Sequence, residues 1–260
     1  MDNRHNIVNL KTYQASCTNC NLKDFCLASH LDVMELEQFE RIVERSQPLQ
    51  RGQHLYRQSD KFHNIYIVKS GSIKNYITMQ DGAECIFGFY LPGELLALDS
   101  IAKGEYASSA IAQQTTYICK IPYPSFERLC QQIPHLQEKL FQIAASKIAE
   151  AYNRQLLLAQ RNSEERFAVF LLNQSDQIGK NGYSKNVFYL SMARQDIANY
   201  LGLACETISR LFTRFNNEGI LQVKKKLIRI RDQKRLMAIA SPTGLYPVQT
   251  AYRSELNSES

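Results

Sequence analysis

The spacing of apolar residues changes character several times along this 260-residue chain. In LDVMELEQFERIVER the positions Leu31, Met34, Leu36, Phe39, Ile42 and Val43 recur at helical intervals and predict an amphipathic helix. From Gln50 to Tyr123 the period falls toward two. NIYIVKSGSIKNYITM alternates apolar and polar residues about a Ser-Gly turn, and ECIFGFYLPGELLAL and SAIAQQTTYICKIPY read as strands broken by glycine and proline. Short strands at this spacing predict a small β-roll or jelly-roll barrel. A long helix follows, from His135 to about Asn162, with no glycine or proline inside it. Phe141, Ala144, Ile148, Ala151, Gln155 and Leu158 fall at alternating steps of three and four, as in the seam of a two-stranded coiled coil. The same stripe would suit a helix packed only on its own domain, because two alanines and a glutamine bury little apolar area. A seam this weak predicts a marginal dimer, the kind that a modest switch can make or unmake.

After Ser163 the order becomes helix, strand, helix, helix, hairpin. SPTGLYPVQTAYRSELNSES shows no periodicity and predicts a polar, frayed tail. Within this half, RQDIANYLGLACETISRLFTRF places Ile197, Ala198 and Leu201 on the inner face of one helix and Ile208 and Leu211 on that of the next, with Gly202 between them. This is the pattern of a helix-turn-helix: a small residue where the helices cross, a glycine free to take positive φ, and an outer face left open. Glu206, Thr207, Ser209 and Arg210 lie near the start of the second helix, where base edges are read in a major groove. Arg210 suits guanine, Glu206 the amino group of cytosine, and Ser209 a thymine or adenine edge. A solvated face with an internal Glu206–Arg210 pair is the alternative.

Charge concentrates in the same place. The chain carries a formal charge of +6, and Arg194 to Arg235 holds Arg194, Arg210, Arg214, Lys224, Lys225, Lys226, Arg229, Arg231, Lys234 and Arg235 against Asp196, Glu206, Glu218 and Asp232. EGILQVKKKLIRIRD predicts a two-stranded wing whose Lys224, Lys225 and Lys226 suit phosphate contacts. No nucleophile–base pair, phosphate loop or metal-hydrolase motif is present in the sequence, so catalysis is not expected.

The N-terminus, MDNRHNIVNLKTYQ, lacks the apolar core of a secretory signal, and the longest apolar run is interrupted by Pro92, Gly93 and Glu94. A cytosolic protein without a membrane span is expected. That placement makes the seven cysteines more suited to a metal or redox site than to disulfides. CTNCNLKDFC puts Cys17, Cys20 and Cys26 inside ten residues, and spacing alone leaves Cys85, Cys119, Cys130 and Cys205 open as a fourth ligand. Four thiolates suit either tetrahedral zinc or an iron–sulfur cluster.

A β-roll, a long helix and a winged helix-turn-helix, with the C-x2-C-x5-C run, ICKIPY, NSEERFAVFL and ETISRLFTRF, together resemble the CRP/FNR family of bacterial transcription regulators. Within it the chain is similar to the FNR branch, the oxygen-sensing fumarate and nitrate reduction regulators. The resemblance implies an α+β fold: a cysteine-rich segment at 1–30, a cyclic-nucleotide-binding-like β-roll sensor domain at 31–134, a dimerisation helix at 135–162, a winged helix-turn-helix at 163–238 and the tail at 239–260. It implies Cys119 as the fourth ligand, one [4Fe-4S] cluster per subunit, and a homodimer on an inverted repeat of double-stranded DNA resembling TTGAT and ATCAA. RNA polymerase is the implied further partner. GELLAL resembles the start of the family's cyclic-nucleotide pocket, yet YASSA has Ser108 where an arginine pairs with the phosphate, so no cyclic nucleotide is expected. FNR-type seams can carry a carboxylate facing its twin; Ala151 stands there instead, so the dimer is expected to tolerate cluster loss better. Cys205 beside Glu206 is the second departure, and Cys85, Cys130 and Cys205 are read as packing residues.

Overall fold

The computed structural model describes residues 16–29 and 31–241. MDNRHNIVNLKTYQ and nearly all of the tail lie outside them. The chain divides into two compact units, Met1–Ala145 and Ser146–Ser260, so the division falls within the long helix rather than at its start.

The first unit opens on a 3-10 turn, Cys17–Asn19, and helix α1, Val33–Ile42. A capping box starts α1: Asp32 accepts from the Glu35 amide, and the Glu35 carboxylate accepts from the Asp32 amide. Eight strands follow: β1 (Glu44–Arg45), β2 (His54–Tyr56), β3 (Asn64–Ser70), β4 (Ile73–Thr78), β5 (Glu84–Tyr90), β6 (Leu95–Leu96), β7 (Ser109–Ala112) and β8 (Tyr117–Pro122). They form two four-stranded sheets, ordered β1-β8-β3-β6 and β2-β7-β4-β5, as the alternating pattern predicts. The β3–β4 reversal depends on Gly71, which takes φ +89°. A Cβ there would strike Thr116 Oγ1, stand 2.6 Å from the Thr115 carbonyl oxygen and 2.7 Å from Thr116 Cα.

One core of this unit brings Leu27 and Ala28 of the cysteine segment against Phe39 of α1, Ile65 and Ile67 of β3, Ile121 of β8 and Phe126. Phe126 belongs to α2, Tyr123–Gln132, a helix that the sequence pattern did not separate from the strand before it. Helix α3 then runs from Pro134 to Gln160. It stops short of Asn162 because the Asn162 side chain turns to cap the next helix, accepting from the amides of Glu164 and Glu165.

The second unit holds the end of α3, then α4 (Ser163–Lys180), β9 (Val187–Tyr189), α5 (Arg194–Leu201), α6 (Cys205–Asn217), β10 (Leu221–Lys224), β11 (Leu227–Ile230) and α7 (Gln233–Ala240). The strands form one antiparallel sheet in the order β10-β11-β9. Phe167 of α4 packs edge-on to Phe212 of α6, with ring centroids 4.7 Å apart, and Phe215 and Leu236 are fully buried beside them. Helix α7 takes up residues 239 and 240, which the pattern assigned to the tail. Arg166 fastens two helix ends here: its guanidinium donates to the carbonyls of Leu158 and Arg161 at the close of α3 and of Leu201 at the close of α5. No helix among the described residues is long and apolar enough to cross a membrane.

Gly71→Ala is expected to lower stability by about 2–3 kcal/mol, from unfavourable φ plus the collision with Thr116. A urea midpoint equal to that of the unsubstituted protein would show that the turn rearranges freely.

Candidate metal centre and nucleic-acid interface

The cysteine segment is a succession of tight turns. The Cys20 amide donates to the Cys17 carbonyl, the Lys23 amide to that of Cys20, the Cys26 amide to that of Leu22 and the Ser29 amide to that of Cys26, all within 3.0–3.2 Å. Such a coil keeps three thiols close in space. Leu27, wholly buried, pins its end to the core. Cys119 approaches from β8, paired with Ile67 on one side and Arg45 on the other. Cys17, Cys20, Cys26 and Cys119 line one pocket of about 30 Å³, with Phe39 and Ile67 as its apolar floor and Lys23 and Lys69 beside them. Cys85 on β5, Cys130 on α2 and Cys205 at the start of α6 do not line it. All seven cysteines are free thiols.

Burial is the main force on these thiols. It pushes Cys26 up to about 12 and Cys119 up to about 11, and it also raises Cys17, where the Glu40 carboxylate adds to it. Neighbouring sulfurs raise each of the three further, and Arg45 opposes the rise at Cys17 and Cys119. A group of sulfurs that costs so much to ionise alone is compensated by a positively charged metal centre among them. The all-sulfur donor set therefore fits a thiolate-ligated metal body. Among the described residues no three Cys, His, Asp or Glu side chains are gathered around a single-ion position.

Glu40 and Arg45 are contacts that the sequence reading missed. The Glu40 carboxylate accepts the Cys17 amide at 3.0 Å through one oxygen and the Arg45 guanidinium at 2.6 Å through the other. Neither residue is marked by any motif.

Inside the roll, side chains fill the space. Tyr56 stacks on Tyr106 with ring centroids 4.1 Å apart and on Tyr66 at 5.6 Å, and the Tyr66 and Tyr106 hydroxyls are hydrogen-bonded at 3.1 Å. Ser108, fully buried, accepts from the Asn75 amide at 2.6 Å. Burial raises Tyr56 and Tyr66 well above the ordinary phenol range, so both hydroxyls stay neutral.

In the second unit α5 ends at Gly202, whose φ of +62° lets its amide reach back to the Ala198 and Asn199 carbonyls. Ile197, Ala198, Leu201, Ile208 and Leu211 are buried, as the helix-turn-helix pattern requires. Glu206 and Arg210 stand exposed on α6, with Thr207 and Ser209 partly exposed between them. No ion pair joins Glu206 to Arg210 among the described residues, so this face is not closed on itself. Arg194, Ser209 and Arg210 line an open groove of about 580 Å³ together with Arg214 and Glu218. Arg194 rests over the Phe212 ring at 5.0 Å.

The cations of this half divide into two groups. Arg214 holds Glu218 at 2.7 Å and also pairs with Glu164, while Arg235 holds the other oxygen of Glu218 at 2.6 Å. These arginines fix α6 to α4 and α7. At the wing tip Lys224 and Lys225 are exposed, and Lys225 takes φ +57° in the two-residue turn. Lys226 differs from its neighbours, because its ammonium donates to the Ser191 carbonyl at 2.6 Å and so holds the hairpin.

On α3 the exposed apolar stripe is Phe141, Ile148, Tyr152 and Leu156. Ala151 and Gln155 are also exposed, Ala144 is half-buried, and half-buried Leu158 lies within the second unit beside Gly202. Tyr152 and Leu156 thus belong to the free face that the strict seam omitted, because a straight helix drifts against a seven-residue repeat.

Known proteins share both halves. The cyclic nucleotide-binding domain family matches residues 46–133, and the Crp-like helix-turn-helix domain family matches residues 165–239. The chain is 39% identical to the fumarate and nitrate reduction regulatory protein of Salmonella typhi, over 87% of this chain and 91% of that one. It is 38% identical to the transcriptional activator protein Anr of Pseudomonas aeruginosa, over 87% and 93%. Among solved structures, FixK2 from Bradyrhizobium japonicum matches with a TM-score of 0.70 and 26% identity, covering 76% of this chain and 97% of that one. With the roll, the helix-turn-helix and these relatives in agreement, the chain belongs to the CRP/FNR family of transcription regulators, on the fumarate and nitrate reduction branch, and is a DNA-binding regulator rather than an enzyme.

Proposed function

We propose that this regulator responds to oxygen through one [4Fe-4S] cluster per subunit, held by Cys17, Cys20, Cys26 and Cys119. The observation that carries the reading is that three thiols from one short coil and one from β8, far apart in sequence, line the same pocket. When bound, the cluster supplies an oxygen-labile cross-link between the N-terminal coil and the roll. The chain's own residues do the rest. Leu27 and Ala28 seat the coil on the core that also contains Phe39 and Ile67, and the pairing of β8 with β1 and β3 fixes Cys119 opposite it.

A structural zinc site is the competing reading, and it would need four sulfurs about 2.3 Å from one point. The resemblance to the fumarate and nitrate reduction regulators favours the cluster. Anoxically purified protein is expected to be brown, to contain iron and sulfide, and to bleach in air. Colourless protein holding zinc would establish the other reading. Cys20→Ser is expected to abolish anoxic DNA binding, and a variant that still bound tightly without air would refute the coupling of cluster to DNA.

The DNA partner in this reading is an inverted repeat resembling TTGAT and ATCAA, bound by a homodimer that also meets RNA polymerase. Two helices of the α6 type, one helical turn of DNA apart, would read its half-sites. Phe141, Ile148, Tyr152 and Leu156 give α3 a surface for pairing. Position 151 adds no like charge across such a pair, and the adjacent Glu150 is already engaged by Lys147 at 2.9 Å. No cyclic nucleotide is part of this reading: Ser108, buried where the family's arginine would stand, carries no charge to pair with a phosphate.

Arg210→Ala is expected to weaken operator binding by roughly 1–3 kcal/mol and to relax selectivity at one base pair. Lys225→Ala should weaken all sequences alike and lower the salt slope by about one. Lys226→Ala should instead lower the melting temperature of the protein; footprints across a salt series, with thermal unfolding, separate the three. Sedimentation should show some dimer persisting after exposure to air, and wholly monomeric aerobic protein would count against the effect of Ala151.

A further inference from the structure

The bond between Glu40 and Arg45 has no evident role in the fold alone. Both side chains are partly exposed, at 25% and 37%, where an ion pair adds little stability. Its position is unusual, however. Through its second oxygen Glu40 also accepts the Cys17 amide at 3.0 Å, so one carboxylate ties the cysteine coil to the guanidinium. Arg45 in turn is the β1 residue in register with Cys119 on β8. Arg45 is thus bound to the carboxylate that holds the Cys17 amide and lies across the β1–β8 pairing from Cys119.

We infer that Arg45, held by Glu40, is a positioning residue that supplies countercharge to the Cys17 and Cys119 sulfurs and sets how readily the metal centre is oxidised. The inference rests on the cluster reading above. A [4Fe-4S] centre held by these four thiolates would be an anion, and loss of one electron to dioxygen, reduced to superoxide, would make it less negative. A fixed cation beside the sulfurs favours the more negative state and so opposes that loss. Hydrogen bonds to sulfur and local charge are general determinants of such potentials. Glu40 fixes the guanidinium's orientation while its own charge offsets part of the field, so the effect is one of graded tuning. Lys69, which lines the cysteine pocket itself, adds a further cation there.

The test compares full-length unsubstituted protein with Arg45→Gln and Arg45→Lys, all purified without oxygen. Iron and sulfide per chain are measured first, then the midpoint potential of the centre and the rate of bleaching in air-saturated buffer. Arg45→Gln is expected to load iron normally, to show a lower potential, and to bleach roughly five- to tenfold faster. Arg45→Lys, which keeps the charge but loses the fork, should fall between. Loaded Arg45→Gln with the original potential and bleaching rate would overturn the proposal. Should Arg45→Gln take up no iron, Arg45→Lys carries the decision: faster bleaching and a lower potential support the proposal, and unchanged values overturn it. Absence of iron from the unsubstituted anoxic protein would instead sink the cluster reading itself, so the two failures are distinguishable.

Discussion

The burial of Leu27 is the contact on which the arrangement of the cysteine coil chiefly depends. This one side chain carries the end of the cysteine coil into a core built from α1, β3, β8 and α2. Full burial of a leucine stabilises by roughly 1.5–3 kcal/mol, a large share for a short coil whose other long-range ties are Ala28 and the Cys17 amide–Glu40 hydrogen bond. Without that anchor, the end of the coil that carries Cys26 would be less firmly placed against β8. With it, the three thiols and Cys119 meet across a pocket whose apolar walls make each isolated thiolate costly. Anchorage and electrostatic tension therefore come from the same burial.

A comparable division of labour governs the charged half. Its basic residues look like one reservoir of positive charge in the sequence, but the structure assigns them separate tasks. Arg214 and Arg235 share Glu218, Arg166 binds carbonyls at two helix ends, and Lys226 holds a hairpin to the segment before α5. Arg194, Arg210, Lys224 and Lys225 remain available to an outside partner. Arranging the supporting cations behind the exposed ones gives α6 a firm base, and a rigid base is what selective contact with base edges requires.

Much of this was legible in the residues alone. Apolar–polar alternation marked the strands of the roll, although residues 65–68 of β3 and 73–76 of β4 are buried in unbroken runs, and five buried positions around Gly202 gave the helix-turn-helix. Helix α2 escaped notice because YPSFERLCQQ is short and begins where a strand ends. The choice of Cys119 could not come from spacing, since only the β1-β8-β3 order brings it to the coil; family resemblance supplied it. Glu40 and Arg45 were invisible for a related reason. Their meaning lies in contacts between a helix, a strand and a loop amide, and none of these leaves a pattern along the chain. On α3, Phe141, Ile148, Ala151 and Gln155 of the expected seam are exposed, Ala144 and Leu158 are half-buried, and Tyr152 and Leu156 are exposed beyond it.

The stacked tyrosines of the roll have a wider implication. A hollow barrel can report on a small molecule by being empty or full, since its stiffness changes when the guest arrives. Here Tyr56, Tyr66 and Tyr106 stack against one another in the core, so that part of the interior is taken by the chain's own side chains. In the reading proposed above, a signal arising at the cysteine pocket would enter the roll through its wall, where β8 carries Cys119 between β1 and β3.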